Sequence, residues 1–416
     1  MPTNFLFRNG MLVDPIKGHT VGGFEVLTEH GLIKEVSDKP ISAGKARIVD
    51  LKGKSLMPGL IDLHAHVVAV DLNVARMARM PNVLVTLKSV PLLEGMLRRG
   101  FTTVRDAGGA GFAHKQAVDA GLCKGPRLYV SGRALSQTGG HGDMRSRSDF
   151  IEDDLPCPTC ARVGALSRIA DGVDGVRKAA REELQMGADQ IKIMASGGVA
   201  SPTDPIGAVG FCEDEIRAIV GEANSRGTYV MAHAYTPAAI QRAIRCGVRT
   251  IEHGNLVDEE TALLMRQMGV FAIPTLATYD ALASEGESLG LPSESVQKVE
   301  RVRQAGLRSL EIFKKAGVKM GFGSDLLGDS QRLQSNEFRL RSEVLTAAEI
   351  LESATVTAAE VIGMGGRLGC IQAGAFADLL VVDGDPLKDI SCLLGQGERI
   401  LLVMKGGEIQ FDRLSM

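Results

Sequence analysis

Residues 60–67 read LIDLHAHV, an apolar run of strand length that ends in two histidines one residue apart. In an extended chain successive side chains point to opposite faces, so His64 and His66 lie on the same side. Two imidazoles converging there can share a divalent ion, although an HxH pair by itself also recurs by chance. Seven more short apolar stretches follow: TTVRDAG (102–108), RLYVSG (127–132), DQIKIMAS (189–196), TYVMAHAY (228–235), TIEHGN (250–255), VFAIPTLAT (270–278) and KMGFGSD (319–325).

Amphipathic segments fall between them, among them GVRKAAREELQMGA, EDEIRAIVGEANSRG, PAAIQRAIRCG and DEETALLMRQMG. Most end in the glycine that a helix C-cap favours. Strands alternating with helices predict parallel βα units, and eight of them predict an α/β chain built on a (β/α)8 TIM barrel, whose chemistry sits at the carboxyl ends of the strands. One long irregular insertion, 136–172, follows the third strand and reads as a lid or substrate loop.

Both ends of the chain have a different texture. FLFRNGMLV, FEVLTEHGLIKEV and ARIVDL near the start, and ADLLVVDGDP and ILLVMKGGEIQF near the end, are short strands around polar or Gly-Gly turns. They predict one small β-sandwich domain assembled from residues 1–56 plus 366–416, with the barrel spanning 57–365.

The formal charge of −3 from 47 basic and 50 acidic residues leaves no excess of positive charge for a phosphate backbone or an anionic lipid. Nucleic acid and membrane partners are disfavoured, and no apolar stretch approaches the ~20 residues of a membrane span. The start, MPTNFLFRNGMLVD, has no secretory pattern, and seven scattered cysteines suit reduced thiols, so a cytoplasmic protein is expected. Cys157 and Cys160 have CxxC spacing, but a zinc site needs a second pair and there is none.

Four more residues with ligand chemistry lie at or near the ends of predicted strands: Lys192 within QIKIMAS, His233 in VMAHAY, His253 in TIEHG and Asp325 in GFGSD. An ammonium cannot bind a cation, but burial lowers its pKa, and a neutral amine reacts with carbon dioxide to give a carbamate able to bridge two ions. The other reading of Lys192 is a snorkelling lysine at the barrel rim. His19, His30 and His114 lie away from the strand ends and read as ordinary surface or core residues.

Taken together, MPGLIDLHAHV, IKIMASGG, AHAYT, IEHGN and GFGSD resemble the amidohydrolase superfamily over essentially the whole chain. The loop SQTGGHGD, the run KIMASGGVASPTDP and HAYTPAAIQRAIRCGVRTIEHGN are most similar to its dipeptidases and prolidases related to imidazolonepropionase. The resemblance implies two divalent metal ions, zinc being the expected one. His64, His66 and Asp325 would hold the first and His233 and His253 the second, with carboxylated Lys192 and a hydroxide between them. Asp325 would serve as general base and acid. His141 of the loop and Tyr235 of HAYT would contact the substrate, Tyr235 donating to the oxyanion, although a buried tyrosine hydroxyl also serves simply as a satisfied polar group. Arg145 and Arg147 read either as a grip on a substrate carboxylate or as charges paired with Asp149, Glu152 and Asp153.

The implied activity is hydrolysis of a small dipeptide or N-acyl amino acid, first of all an Xaa-Pro dipeptide, by a homo-oligomeric enzyme. The alternatives are a dipeptidase preferring C-terminal hydrophobic or basic residues, a cyclic-amide hydrolase or deaminase of imidazolonepropionase type, and a catalytically dead scaffold.

Overall fold

The structure is a computed structural model; it describes residues 4–145, 163–201, 204–286 and 293–414, and for 293–297 the backbone only. The Cys157–Cys160 pair and Arg147 lie outside the described residues. Among the described residues no helix is long and apolar enough to cross a membrane.

The barrel is opened by Leu60–Ala65, Phe101–Asp106 and Arg127–Tyr129, which pair in parallel in that order. A second parallel run follows through Ala134–Ser136, Ile191–Met194, Val230–Ala234, Thr250–His253 and Phe271–Ile273. Between these runs the Asp189 amide donates to the Val130 carbonyl at 2.7 Å. The strands are buried on both faces, as parallel strands flanked by helices must be. Helices such as Gly172–Gln185, Glu213–Ser225 and Pro237–Arg245 turn Val176, Ile216, Ile219, Ile240 and Ile244 onto them.

Two expectations need correction. The segment 319–325 is not a continuous strand; only Met320 forms a bridge, to Ala272. It closes the barrel all the same, because the Gly321 amide reaches the Ala272 carbonyl at 2.8 Å while the Phe322 carbonyl and Asp325 amide bond Leu63 and His64 at 2.8 and 2.7 Å. The irregularity comes from close packing: a Cβ at Gly321 would lie 2.4 Å from Leu63, and one at Gly323 2.9 Å from the His64 Cβ. The insertion 136–172 is not wholly irregular either, since Ser167–Ile169 pairs in parallel with Ala134–Ser136.

Both ends of the chain build a separate sheet. In order across it stand Glu408–Asp412, Ile400–Lys405, Leu379–Val382, Ser55–Pro58, Phe5–Asp14, His19–Glu29 and Leu32–Ser37, with Arg47–Asp50 also paired to Phe5–Asp14. Leu379–Val382 runs antiparallel to Ser55–Pro58, which leads through Gly59 into the first barrel strand. The start of that strand is therefore anchored from outside the barrel.

Arg341, fully buried, ties the closing segment in place. It donates to the carbonyls of Pro274 and Gly321 at 2.7 and 3.0 Å, to Ser353 Oγ at 3.1 Å and to Glu337 Oε1 at 2.7 Å. Arg341→Met strands the Glu337 carboxylate and two carbonyls, so it should cost about 3–5 kcal/mol. A denaturation midpoint equal to that of the parent would refute this role.

Candidate metal centre

The carboxyl ends of the strands deliver a dense cluster of imidazoles into one cavity. His64 and His66 from the first strand, Lys192, His233 and His253 from later ones, and Asp325 from the closing segment all line it, together with His141 and Tyr235. His64 and His66 bring their Nε2 atoms to 3.3 and 3.1 Å from the same Asp325 oxygen, Oδ1. The His253 Nδ1 atom lies 3.8 Å from Oδ2. Ring centroids are 4.8 Å apart for His64 and His253, 4.6 Å for His233 and His253, and 4.3 Å for the stacked His141 and His233.

Backbone geometry explains how adjacent residues both face inward. Strict alternation would send Glu252 and His253 to opposite faces, yet both touch His64. His253 has a φ of 70°, and Asp325 a φ of 55°, both in the left-handed region that costs a non-glycine residue energy. These turns rotate a ligand-type side chain into the cavity at the end of each segment.

The remaining nitrogens of the cluster are held from behind. His64 Nδ1 pairs with Glu252 Oε2 at 2.7 Å, His66 Nδ1 donates to the Gly108 carbonyl at 2.9 Å, and His233 Nε2 donates to the Gly197 carbonyl at 3.1 Å. Such contacts set the tautomer and leave the opposite nitrogen as a lone-pair donor, the usual support of a metal-binding histidine. His64, His253 and Asp325 offer ligand atoms within 4.8 Å of one another. The chemistry of this donor set fits a divalent ion.

Burial and neighbouring charge set the protonation states. Burial pushes the His233 imidazole well below its ordinary value, aided by His141 and His253, and does the same to His253, where Asp325 opposes it. Burial also raises the Asp325 carboxyl, but the surrounding histidines outweigh it and hold the group well below the usual carboxylate range. Lys192 is 1% exposed and makes no hydrogen bond or ion pair among the described residues. Burial takes its ammonium down to about 8, against the pull of Glu252 and Asp325.

Tyr235 is buried, its ring edge-on to His233 at 4.7 Å and its hydroxyl 2.7 Å from that of Tyr279. Burial raises both phenols, so both stay protonated. His141 meets Ser201 Oγ through Nδ1 at 2.7 Å; Ser201 in turn donates to Asp204, and Lys298 bonds the Asp204 carbonyl at 2.8 Å. Arg145 is committed elsewhere, its Nε donating to Asp143 Oδ1 at 2.7 Å. Asp143 is a residue two positions away; Asp149, Glu152 and Asp153 lie outside the described residues.

Sequence reasoning also passed over the supports. Glu252 accepts two hydrogen bonds from Arg105 Nη2, at 2.9 and 3.0 Å, as well as the His64 contact. A charged residue inside each of the apolar runs TTVRDAG and TIEHGN was the available signal. Tyr279, on the helix Leu276–Glu285, and the Ser201–Asp204 pair carried no signal of that kind.

Glu252 gives a pH-dependent prediction. Burial raises its carboxyl, but Arg105 and His64 outweigh burial and pull it down to about 2. A depressed carboxylate contributes stability that is full above its unfolded value near 4.5 and is lost as pH falls towards 2. Glu252→Gln should therefore destabilise the fold by about 3–5 kcal/mol near neutrality. The gap to the parent should close below pH 4.5, and denaturation curves with a constant gap from pH 7 to pH 3 would contradict this assignment.

Comparison with known proteins places this arrangement. The model of the Amidohydrolase family matches residues 55–409. An ochratoxinase of Aspergillus niger is 34% identical over 322 residues, covering 75% of this chain and 66% of that protein, so the chain spans just under two thirds of its length. A crystal structure of an amidohydrolase is 66% identical, with a TM-score of 0.97 and 99% of each chain covered. A prolidase crystallised with N-methylphosphonate-L-proline is 54% identical, with a TM-score of 0.96 over 99% of this chain and 100% of that one. With its barrel, its terminal sheet and a match running through nearly the whole chain, this protein belongs to the amidohydrolase family.

Proposed function

We propose that the chain is a metal-dependent hydrolase of dipeptides or N-acyl amino acids, and that Xaa-Pro dipeptides are its best substrates. The observation that carries the reading is the convergence of His64, His66, His233, His253, Lys192 and Asp325 on one cavity whose remaining wall is largely apolar, with His141, Ser167, Tyr235, Thr278 and Tyr279 as its other polar residues. His64, His66 and Asp325 would hold one divalent ion, and His233 and His253 a second, with a carboxylated Lys192 between the two. Ions held there polarise the scissile carbonyl and make a bound water a ready nucleophile.

The chain's own residues supply positioning and proton transfer. The ionised Asp325 carboxylate takes the proton of the attacking water and passes it to the leaving nitrogen. Tyr235 donates to the carbonyl oxygen as negative charge develops on it, and its contact with the Tyr279 hydroxyl, with Tyr279 as donor, would leave the Tyr235 proton to the substrate. His141, held by Ser201, faces the substrate from the loop after Ala134–Ser136. Val74, Met144, Leu166, Met194, Val199 and Leu282 shape the walls.

Those walls bear on specificity. Among the described lining residues Asp325 is the lone carboxylate, so nothing else there matches a basic leaving residue. An apolar ring such as that of proline suits the lining, and the prolidase of 54% identity binds a proline phosphonate.

A dipeptide library with the C-terminal residue varied tests the substrate. Proline should give the highest kcat/KM, other apolar residues less and lysine or arginine least; a basic optimum would overturn the assignment. Asp325→Asn should retain most of its metal and lose about 10²–10⁴-fold in turnover, and near-parental turnover would remove Asp325 from the proton path. Lys192→Ala should bind fewer than two ions per chain by elemental analysis, whereas full occupancy would exclude a bridging lysine.

A further inference from the structure

Apart from the histidine cavity, the barrel flank holds a groove of about 730 Å³ that contains a buried guanidinium. Arg99, just past the helix Asn82–Arg98, is 4% exposed. Its Nε donates to Gln334 Oε1 at 3.0 Å and its Nη1 to Gln396 Oε1 at 3.1 Å. Both acceptors are neutral amides, and among the described residues Arg99 makes no ion pair and its Nη2 has no hydrogen-bond partner. Asp62 lies one residue further on, beyond Gln334, and already accepts from Gln334 Nε2, Ser324 Oγ and the His64 amide at 2.8, 2.6 and 3.0 Å.

A buried cation with no carboxylate in direct contact is costly, and burial takes this guanidinium down to about 10, against the more distant pull of Asp62. The other arginine of the groove, Arg332, is committed, forking onto Glu285 at 2.5 and 3.1 Å. Arg99 is thus the cation on the described wall that has charge to offer. The space beside it is kept by Gly95, where a Cβ would lie 3.1 Å from Arg99 Nη1. Pro91 and Leu92 supply an apolar wall next to it.

We propose that this groove binds a small organic carboxylate, with Arg99 taking the carboxylate group and Pro91 and Leu92 packing on the attached carbon skeleton. Guanidinium matches the planar carboxylate better than any other side chain. The exposed Asp329 and the paired Glu285 on the same wall repel a multiply charged anion, which makes a monoanion the matching ligand.

Calorimetric titration of the metal-loaded enzyme with propionate, and separately with inorganic phosphate, tests the site. Propionate should bind saturably and more tightly than phosphate. Arg99→Gln should weaken it about tenfold or more, the value of a charged hydrogen-bond pair. Gly95→Asp keeps Arg99 but places a carboxylate beside it, and this variant should lose propionate binding while keeping the parental thermal midpoint. Absence of saturable binding, binding that survives both substitutions, or tighter binding of phosphate would each overturn the proposal.

Discussion

The buried pairing of Arg105 with Glu252, with His64 on the far side of the same carboxylate, is the contact on which the site depends. Both charged side chains are fully enclosed inside the barrel. Taking them out of water costs about as much as their mutual attraction returns, so the pair is a poor source of net stability. It acts instead as a geometric constraint. Arg105 also donates to the Leu63 carbonyl at 2.6 Å, so a single guanidinium links Leu60–Ala65, Phe101–Asp106 and Thr250–His253. His64 then receives both its place and its tautomer from Glu252.

A second constraint is the absence of room. The ligand-type side chains reach the cavity because glycines let backbones approach and because His253 and Asp325 accept left-handed conformations. Such strain persists where the surroundings over-determine it. For Asp325 the surroundings are explicit: its amide is bonded to the His64 carbonyl, and its carboxylate faces His64, His66 and His253. The closing segment is irregular for the same reason that it is functional.

Much of this was legible in the residue order. The strand-end histidines, Lys192 and Asp325 stood out because each follows an apolar run, and a parallel barrel brings all such ends to one rim. The supports were not legible, because Arg105 with Glu252 is a contact across the barrel and Tyr279 with Tyr235 joins a helix to a strand end. The insertion after the third strand and the segment 319–325 were misread in detail for a related reason. Short strands such as Ser167–Ile169 are defined by the neighbour they pair with, and the close approach of Gly321 and Gly323 to Leu63, Ile273 and His64, which breaks the strand, is likewise a tertiary contact that an apolar run does not reveal.

By itself the sequence determined the alternation of strands and helices, the two-ended origin of the terminal sheet and the identity of the residues with ligand chemistry. These follow from local periodicity and residue type, which need no knowledge of neighbours. Only the tertiary structure decided which nitrogens of His64 and His66 are held from behind, that Glu252 and His253 both touch His64, and that Arg99 is buried with no carboxylate in direct contact among the described residues. Those outcomes depend on contacts between residues as far apart as 297 positions, as for Arg99 and Gln396, and on backbone conformations that packing imposes against local preference.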